Sequence, residues 1–498
     1  MSDELPTPEP LYASGFELPL NTRGNVLKDF GADIGELERS GYSVGRIVDL
    51  KGYLNRGALH DVREDLGSVI GQMNRVLLLD IERKDDDPVV HDRRIVLMED
   101  SQGRRASLSV SLAGHANGLP VPDGEERDVI LHGPGYFGGM GLYFDTAGEL
   151  LRAIEKAKAL SLIMEEKAWV CGVDEWLAGA KNVLAGSDWL KSEEMQIFTG
   201  LLYSPNGPFY NVITGTDARQ TKDSIKNMYK GSRMGGGIGQ IVGSTEGITD
   251  TPSFVEHSFA NSFQTIQERY GERITPLKSA SVSVHGFGSI GLAAAETFLR
   301  RGVTRVYYTD IVLFDDTVLA TMSPEEVAKQ RSIKQAQYEY LKEKYGDVAE
   351  ITLVHSDDFW DLPVTVVAPC SSGGGVIDAS VIERMAQAKV EVVLSGANGP
   401  LSDLSIAELA HKRGILMPID TVVNCGPATA AALEAQYWAN PSYDDSQTFV
   451  EAVLVPHIEN NVGAKISGAI AISEEEGISL WQAGKILYQR KMSQASLQ

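Results

Sequence analysis

Gly286, Gly288 and Gly291 form a G-x-G-x-x-G run with chemistry attached to each position. With 50 glycines in the chain the pattern alone would arise by chance, so its context decides. The apolar run SVSV leads into the glycines, an apolar helical run follows at once, and a second run, VYYT, ends in Asp310, 19 residues past Gly291. In such a βαβ unit Gly286 permits the tight turn, Gly288 lets backbone approach a pyrophosphate, and Gly291 allows close helix packing. The helix N-terminus would supply free N–H groups to the phosphates, with Phe287, Ser289 and Ile290 among the expected cofactor contacts. Asp310, followed by Ile311, would accept hydrogen bonds from the adenosine ribose and repel a 2′-phosphate, which points to NAD. A second glycine-rich stretch, Gly235 to Gly239 with Gly243 beyond, follows NMYKGSRM, which is no buried strand; it reads as a mobile loop.

Two lysines and an aspartate lie upstream. Lys167 ends a helical pattern in IMEEK, Lys181 follows a small-residue turn, Leu177 to Ala180, and Asp217 closes VITGTD. Singly, Lys167 could be a solvated helix-end cation and Asp217 an N-cap for a helix near Lys222 to Tyr229.

The elements that must position these groups follow from periodicity. Residues from about Arg94 to Leu112 read as two strands joined by a turn at Ser101 to Gly103. Gly114 to Asp128 reads as a loop. Thr146 and Glu149 have capping-box spacing before a helix with Leu150, Leu151, Ile154, Ala157 and Leu160 on one face. From about Ser281, strands (VSVHG, VYYTD, ITLV, TVVAP, EVVLSG, ILMPID) alternate with helices (LAAAETFLRR, ASVIERMAQA, SIAELAHKR), the grammar of a doubly wound parallel sheet. After Asp420 the chain reads as mostly helical. The chain of 498 residues exceeds one ordinary core.

A net charge of −23 disfavours nucleic acid and anionic lipid as partners. No apolar run is long enough to span a membrane. Three scattered cysteines, Cys171, Cys370 and Cys425, argue against a disulfide framework and for a reducing, cytoplasmic setting. No Cys/His cluster has zinc spacing, so no metal is expected. The acidic, proline-bearing start, MSDELPTPEP, lacks the features of a secretory signal and reads as a flexible leader.

Order and spacing add a resemblance. From about Arg94 to Ala432 the chain resembles the Glu/Leu/Phe/Val amino-acid dehydrogenases, closest to the leucine/phenylalanine branch. Met164-Glu165-Glu166-Lys167 is similar to the family's M-x-x-K, Ala178-Gly179-Ala180-Lys181 to its G-G-x-K turn, and Thr214 to Asp217 to its catalytic-aspartate segment. Ala368-Pro369-Cys370 resembles the branch's A-P-C, Gly396-Ala397-Asn398-Gly399-Pro400 the family's G-A-N-x-P, and Pro418, Asp420 and Asn424 its P-D-x-x-x-N-A-G-G stretch. The resemblance implies an α/β chain with an N-terminal substrate-binding and oligomerisation domain, a Rossmann-type doubly wound NAD domain and a cleft between them. The corresponding boundaries are an N-terminal extension at 1–92, a substrate domain at 93–265, an NAD domain at 266–430 and, at 431–498, C-terminal helices returning to the first domain.

The implied reaction is NAD-dependent oxidative deamination of an L-amino acid to the 2-oxo acid and ammonia, with reductive amination as its reverse, in a homo-oligomer. Lys181 is the implied base that activates water, Asp217 the proton shuttle and Lys167 the carboxylate anchor. A lysine beside a cationic nicotinamide and another lysine would have a lowered pKa, which suits a base near neutrality. Cys370, Asn398 and Asn424 fall in the implied cofactor contacts, Asn424 also touching substrate. Phe137, Gly215, Ala428 and Ala431 line the implied side-chain pocket. None is charged and three are small, which predicts a bulky apolar or aromatic substrate.

The chain departs from the pattern at Ala178, at Gly141 where the family has arginine, and at Asn424-Cys425-Gly426-Pro427 in place of N-A-G-G. Thr251 and Ser253 are the nearest candidates for the nicotinamide-contacting threonine. Two alternatives remain open: a repurposed relative that couples or reduces an imine of a modified aromatic amino acid, and an inactive NAD-binding regulator.

Overall fold

The computed structural model describes residues 17–18, 23–30, 34–56, 64–83, 90–114, 135–144, 146–174, 177–204, 207–215, 217, 220–237, 241–243, 248, 251–314, 323–371, 374–439 and 445–495. The expected leader, most of the expected 114–128 loop and the middle of the second glycine-rich stretch lie outside them.

The chain divides into two units, Met1–Thr249 with Ala430–Val450, and Asp250–Thr429 with Glu451–Gln498. The first is built on eight strands: β1 (Tyr42–Asp49), β2 (Met73–Arg83), β3 (Val90–Asp100), β4 (Arg105–Ala113), β5 (Gly135–Phe137), β6 (Met140–Phe144), β7 (Leu177–Gly186) and β8 (Val212–Ile213). Their order is β1-β2-β3-β4-β7-β5-β8, with β6 also on β7. Pairing is antiparallel from β1 to β7 and parallel from β7 to β5, β6 and β8. The hairpin expected at Ser101 to Gly103 is present, and Gly103 takes φ +76°. Alternate residues of β2 enter separate clusters: Val76 and Leu78 pack with Phe198 and Met228, Leu77 and Leu79 with Leu27 and Ile154. A strand covered on both faces reads as a continuous apolar run, which is why V-L-L-L shows no alternation.

The sequence placed residues before 93 in an extension, but β1 and β2 are strands of this same sheet, in register with β3 through Leu77↔Leu97 and Leu79↔Ile95. The capping box expected at Thr146 is not formed. Ala147–Glu149 is a 3₁₀ turn with no side-chain cap, and Glu149 pairs instead with Arg152 at 3.1 Å. Helix α1 (Leu150–Val170) then crosses the sheet. Helices α2 (Glu193–Leu201) and α3 (Lys222–Met234) pack on each other. The cap of α3 is Thr221 with Ser224, so Asp217 is not that helix's N-cap.

The second unit holds β9 (Ser281–His285), β10 (Arg305–Thr309), β11 (Glu350–Leu353), β12 (Val366–Pro369) and β13 (Val392–Val393). All are parallel, in the order β11-β10-β9-β12-β13, so the order reverses beside β9, as in a Rossmann sheet. The expected strand ILMPID contributes only a bridge, Val392↔Leu416. Helices α4 (Val255–Tyr270), α5 (Ser289–Arg300), α6 (Pro324–Tyr345), α7 (Ala379–Gln387) and α8 (Ser405–Lys412) lie along the chain around this sheet. Helix α9 (Gly426–Ala439) carries the division between the units at Thr429. Helices α10 (Val455–Glu476) and α11 (Leu480–Ala495) pack on each other, and α10 packs on α4. The sequence had sent residues 431–498 back to the first domain. Only 430–450 join the first unit, because Ile458, Val462, Ile466 and Ile470 bury an apolar stripe within the second.

Candidate active site

In the first unit the site begins with how closely α1 lies on β7. A Cβ at Gly179 would fall 2.2 Å from Glu165 N and 2.4 Å from Ser161 O, so only glycine lets the helix rest there. Leu177 to Ala180 is therefore strand, not the turn read from its small residues; small size serves helix–strand approach. Glu165 Oε2 accepts the Gly179 N–H at 2.9 Å, and burial pushes its carboxyl up to about 7. Two residues along each element stand Lys167, buried in the last turn of α1, and Lys181, buried on β7.

Lys181 Nζ donates to Asp217 Oδ2. Tyr143, on β6, donates its hydroxyl to the same oxygen at 3.1 Å, and its ring centroid lies 5.6 Å from Lys181 Nζ and 5.3 Å from Lys156 Nζ. Burial, then the ammonium groups of Lys167 and Lys156, lowers the Lys181 pKa to about 7. The Asp217 carboxylate acts in the opposite direction. Burial raises the Tyr143 phenol to about 12, so it remains a donor throughout the neutral range. Gly139 makes room for Asp217, because a Cβ there would lie 2.9 Å from the aspartate's own.

Asn182 braces this corner. Its Nδ2 donates to Gly138 O at 2.9 Å and Thr214 Oγ1 at 3.2 Å, while Tyr203 donates to its Oδ1 at 2.8 Å. Tyr143, Asn182, Tyr203 and Glu165 were missed as site residues. Asn182 adjoins Lys181 in sequence, but neither tyrosine carries a local signal, since β6 and the loop after α2 meet β7 only in three dimensions.

The expected pocket residues are less uniform than their sizes suggested. Phe137 sits on β5 opposite Gly179 and is only 2% exposed, so its ring is packed inside the unit. Gly215 does not leave open volume: a Cβ there would be 3.1 Å from Val242 O and 3.2 Å from Val242 Cγ2. Ala428 and Ala431 are half-buried on α9, one helical turn apart. Pro427 lies in the first turn of α9, where its missing N–H costs nothing. Gly426 is required there, since a Cβ would meet Phe254 O at 2.0 Å.

In the second unit the glycine loop forms a tight cradle. Gly286 takes φ +89°, and a Cβ there would strike Ser371 N at 2.6 Å; one at Gly291 would strike Gly286 O at 2.0 Å. A Cβ at Gly288 would meet nothing within 4 Å, so the backbone there is open to a ligand. Gly288 caps α5, whose first N–H groups, from Ser289, Ile290 and Gly291, have no preceding turn to bond. Asp310 is buried: Oδ2 accepts from Phe287 N at 2.7 Å and Oδ1 from Val312 N at 3.0 Å. Ile311 beside it is 36% exposed.

At the end of β12, burial pushes the Cys370 thiol up to about 12, which keeps it neutral and unreactive. Asn424 Nδ2 donates to Asn398 Oδ1 at 3.1 Å and Ala397 O at 3.2 Å. Its Oδ1, like Ser371 Oγ, is buried with no partner among the described residues. Orphaned polar atoms beside a glycine cradle and a helix N-terminus fit a dinucleotide. Among the described residues no group of three ligating side chains could hold a metal, and no helix is long and apolar enough to cross a membrane.

The glycine cradle and its parallel sheet define a nucleotide-binding fold of Rossmann type, and comparison with known proteins narrows it. Residues 260–496 match the sequence model of the Glutamate/Leucine/Phenylalanine/Valine dehydrogenase family. A phenylalanine dehydrogenase from Lysinibacillus sphaericus is 29% identical over 55% of this chain and 63% of its own length, a little under two thirds. A leucine dehydrogenase from Thermoactinomyces intermedius is 24% identical over 60% of this chain and 70% of its own. The fold is similar to that of a hetero-hexameric glutamate dehydrogenase from Thermus thermophilus, with TM-score 0.56 and 18% identity over 87% of this chain and 92% of that one. Residues 260–496, a little under half of the chain, are thus similar to the Glu/Leu/Phe/Val dehydrogenase family, and these sequence relatives are a leucine and a phenylalanine dehydrogenase.

Proposed function

We propose that the protein is an NAD-dependent L-amino-acid dehydrogenase for a bulky apolar or aromatic side chain. Its overall reaction converts amino acid, NAD⁺ and water to 2-oxo acid, ammonium, NADH and a proton. The observation that carries this reading is Lys181: buried, lowered to about 7, and joined to Asp217 beside Lys167.

Bound NAD would supply the hydride acceptor. Gly286 to Gly291 would take its pyrophosphate, and Asn398, Asn424 and Ser371 its nicotinamide end. Lys167, kept charged, anchors the substrate carboxylate as a point charge. Lys181, its pKa lowered by burial toward neutrality, takes in its neutral form a proton from the water that attacks the imine carbon. Asp217 passes protons to and from the nitrogen, ending with departure of ammonia. Tyr143 holds Asp217 at the lysine and stays protonated itself. Burial of these groups keeps their interactions strong.

The apolar preference is supported by the absence of charge at half-buried Ala428 and Ala431 and by the phenylalanine and leucine dehydrogenases among the relatives. We place the enzyme in the cytoplasm, as a homo-oligomer through its first unit. The test is NADH formation on phenylalanine, tryptophan, leucine and glutamate with wild type and Lys181→Ala. Turnover on the apolar substrates, reduced on the order of 10³-fold in the variant, is expected. Preference for glutamate would sink the substrate assignment. NADH binding without turnover on any amino acid would favour an imine-coupling relative or an inactive regulator.

A further inference from the structure

Helix α6 brings a cation to the residue that the sequence assigned as the guard against NADP. Lys334 Nζ lies 3.4 Å from Asp310 Oδ2, and both side chains are largely buried, 12% and 8% exposed. Lys334 also donates to Phe287 O inside the glycine loop. One turn earlier on the same helix face, exposed Arg331 donates from Nε to Val312 O at 3.2 Å. The loop after β10, where a Rossmann unit receives the adenosine ribose, is thus held by two cations as well as one carboxylate.

This changes both ways in which Asp310 could select NAD. A carboxylate discriminates by accepting ribose hydroxyls and by repelling a 2′-phosphate. Oδ2 already takes Phe287 N and the Lys334 ammonium, and Oδ1 takes Val312 N, which leaves less accepting capacity for ribose hydroxyls. Its field is largely cancelled by a cation at ion-pair distance.

We infer that this dinucleotide site accepts NADP as well as NAD, with Lys334 and Arg331 as partners of the 2′-phosphate. The inference rests on the reading of Gly286 to Gly291 as the dinucleotide cradle, and it goes beyond it. On binding NADP, Lys334 need only turn from Asp310 toward the phosphate, while Asp310 keeps its two backbone donors. On binding NAD, the ion pair stays intact.

The test titrates the intact protein, without substrate, with NADH and with NADPH, following the cofactor's own fluorescence. Wild type should bind both, with dissociation constants within about tenfold of each other. The double variant Lys334→Gln/Arg331→Gln should lose about tenfold or more in NADPH affinity, with NADH affinity changed less than about threefold. Lys334→Arg should retain NADPH binding, because the cation is kept. Added salt should weaken NADPH more than NADH. Wild type that binds NADH but NADPH more than about a hundredfold more weakly overturns the inference and leaves the cradle reading standing. A double variant that loses both cofactors equally also overturns it, showing Lys334 to be a brace of the loop. Wild type that binds neither cofactor overturns the cradle reading, and the inference with it.

Discussion

At the scale of single residues, Lys181 carries the sharpest consequence. Its folded pKa of about 7 lies far below the ordinary lysine value, burial being the main cause. If its neutral form is the base, kcat/KM for oxidative deamination rises with pH through about 7 and levels off above it. A profile flat across that range, measured under saturating cofactor, would remove Lys181 from the base role. Linkage gives a second readout. Between about pH 7 and the ordinary lysine range the unfolded chain binds more protons at this residue than the folded one. Its contribution to stability therefore improves as pH rises through that window, and the burial cost is fully present below it. Tyr143 is the residue-scale prediction that spacing could not supply. Tyr143→Phe removes one donor from Asp217 Oδ2 while keeping the ring beside both lysines. Loss of one such hydrogen bond should cost about 1 kcal/mol, seen as a roughly fivefold fall in kcat with KM little changed. Lys167, Lys181 and Asp217 were named as candidates through the resemblance to a family, whereas Tyr143 lies on a strand whose own pattern says only apolar and short.

At the scale of elements, the contact of α1 with β7 decides whether the lysines meet. Gly179→Ala would drive a methyl to 2.2 Å from Glu165 N, a backbone atom that cannot move without shifting the helix. We expect a loss of about 1–3 kcal/mol in urea unfolding, together with loss of turnover. An unchanged urea midpoint with full activity would show that α1 can ride farther from the strand. Glu165 is a pH-dependent part of the same contact. Burial raises its carboxyl to about 7, so between its ordinary range and that value the folded state binds the extra proton. Its contribution to stability falls as pH rises through that window. Glu165→Gln keeps an oxygen for the Gly179 N–H and should flatten this part of the pH–stability curve; a curve identical to wild type would refute the assignment. Element types were readable wherever a period was clean, as in α1, α5, α7 and the strands of the second sheet. They were misread where small residues have two uses: Leu177 to Ala180 looks like a turn in one dimension and is a close-packed strand in three.

At the scale of the whole chain, the excess of acid is a stability term. A net charge of −23 repels itself, so raising salt from low to roughly physiological strength should raise the melting temperature by screening. A melting temperature that falls with salt would mean that attractive ion pairs outweigh the repulsion. The sequence by itself determined the parallel nucleotide-binding sheet and the glycine cradle, because these depend on local period and on residues close in the chain, and it named two lysines and an aspartate as candidates. Tertiary structure alone decided the rest. It made residues 42–83 strands of the first sheet rather than an extension, since hydrogen bonding to β3 is not written in either segment. It kept 455–495 with the second unit, where their apolar stripes are buried. And it set Lys334 against Asp310, 24 residues away in sequence, so that the charge a dinucleotide meets is a property of packing and not of the motif.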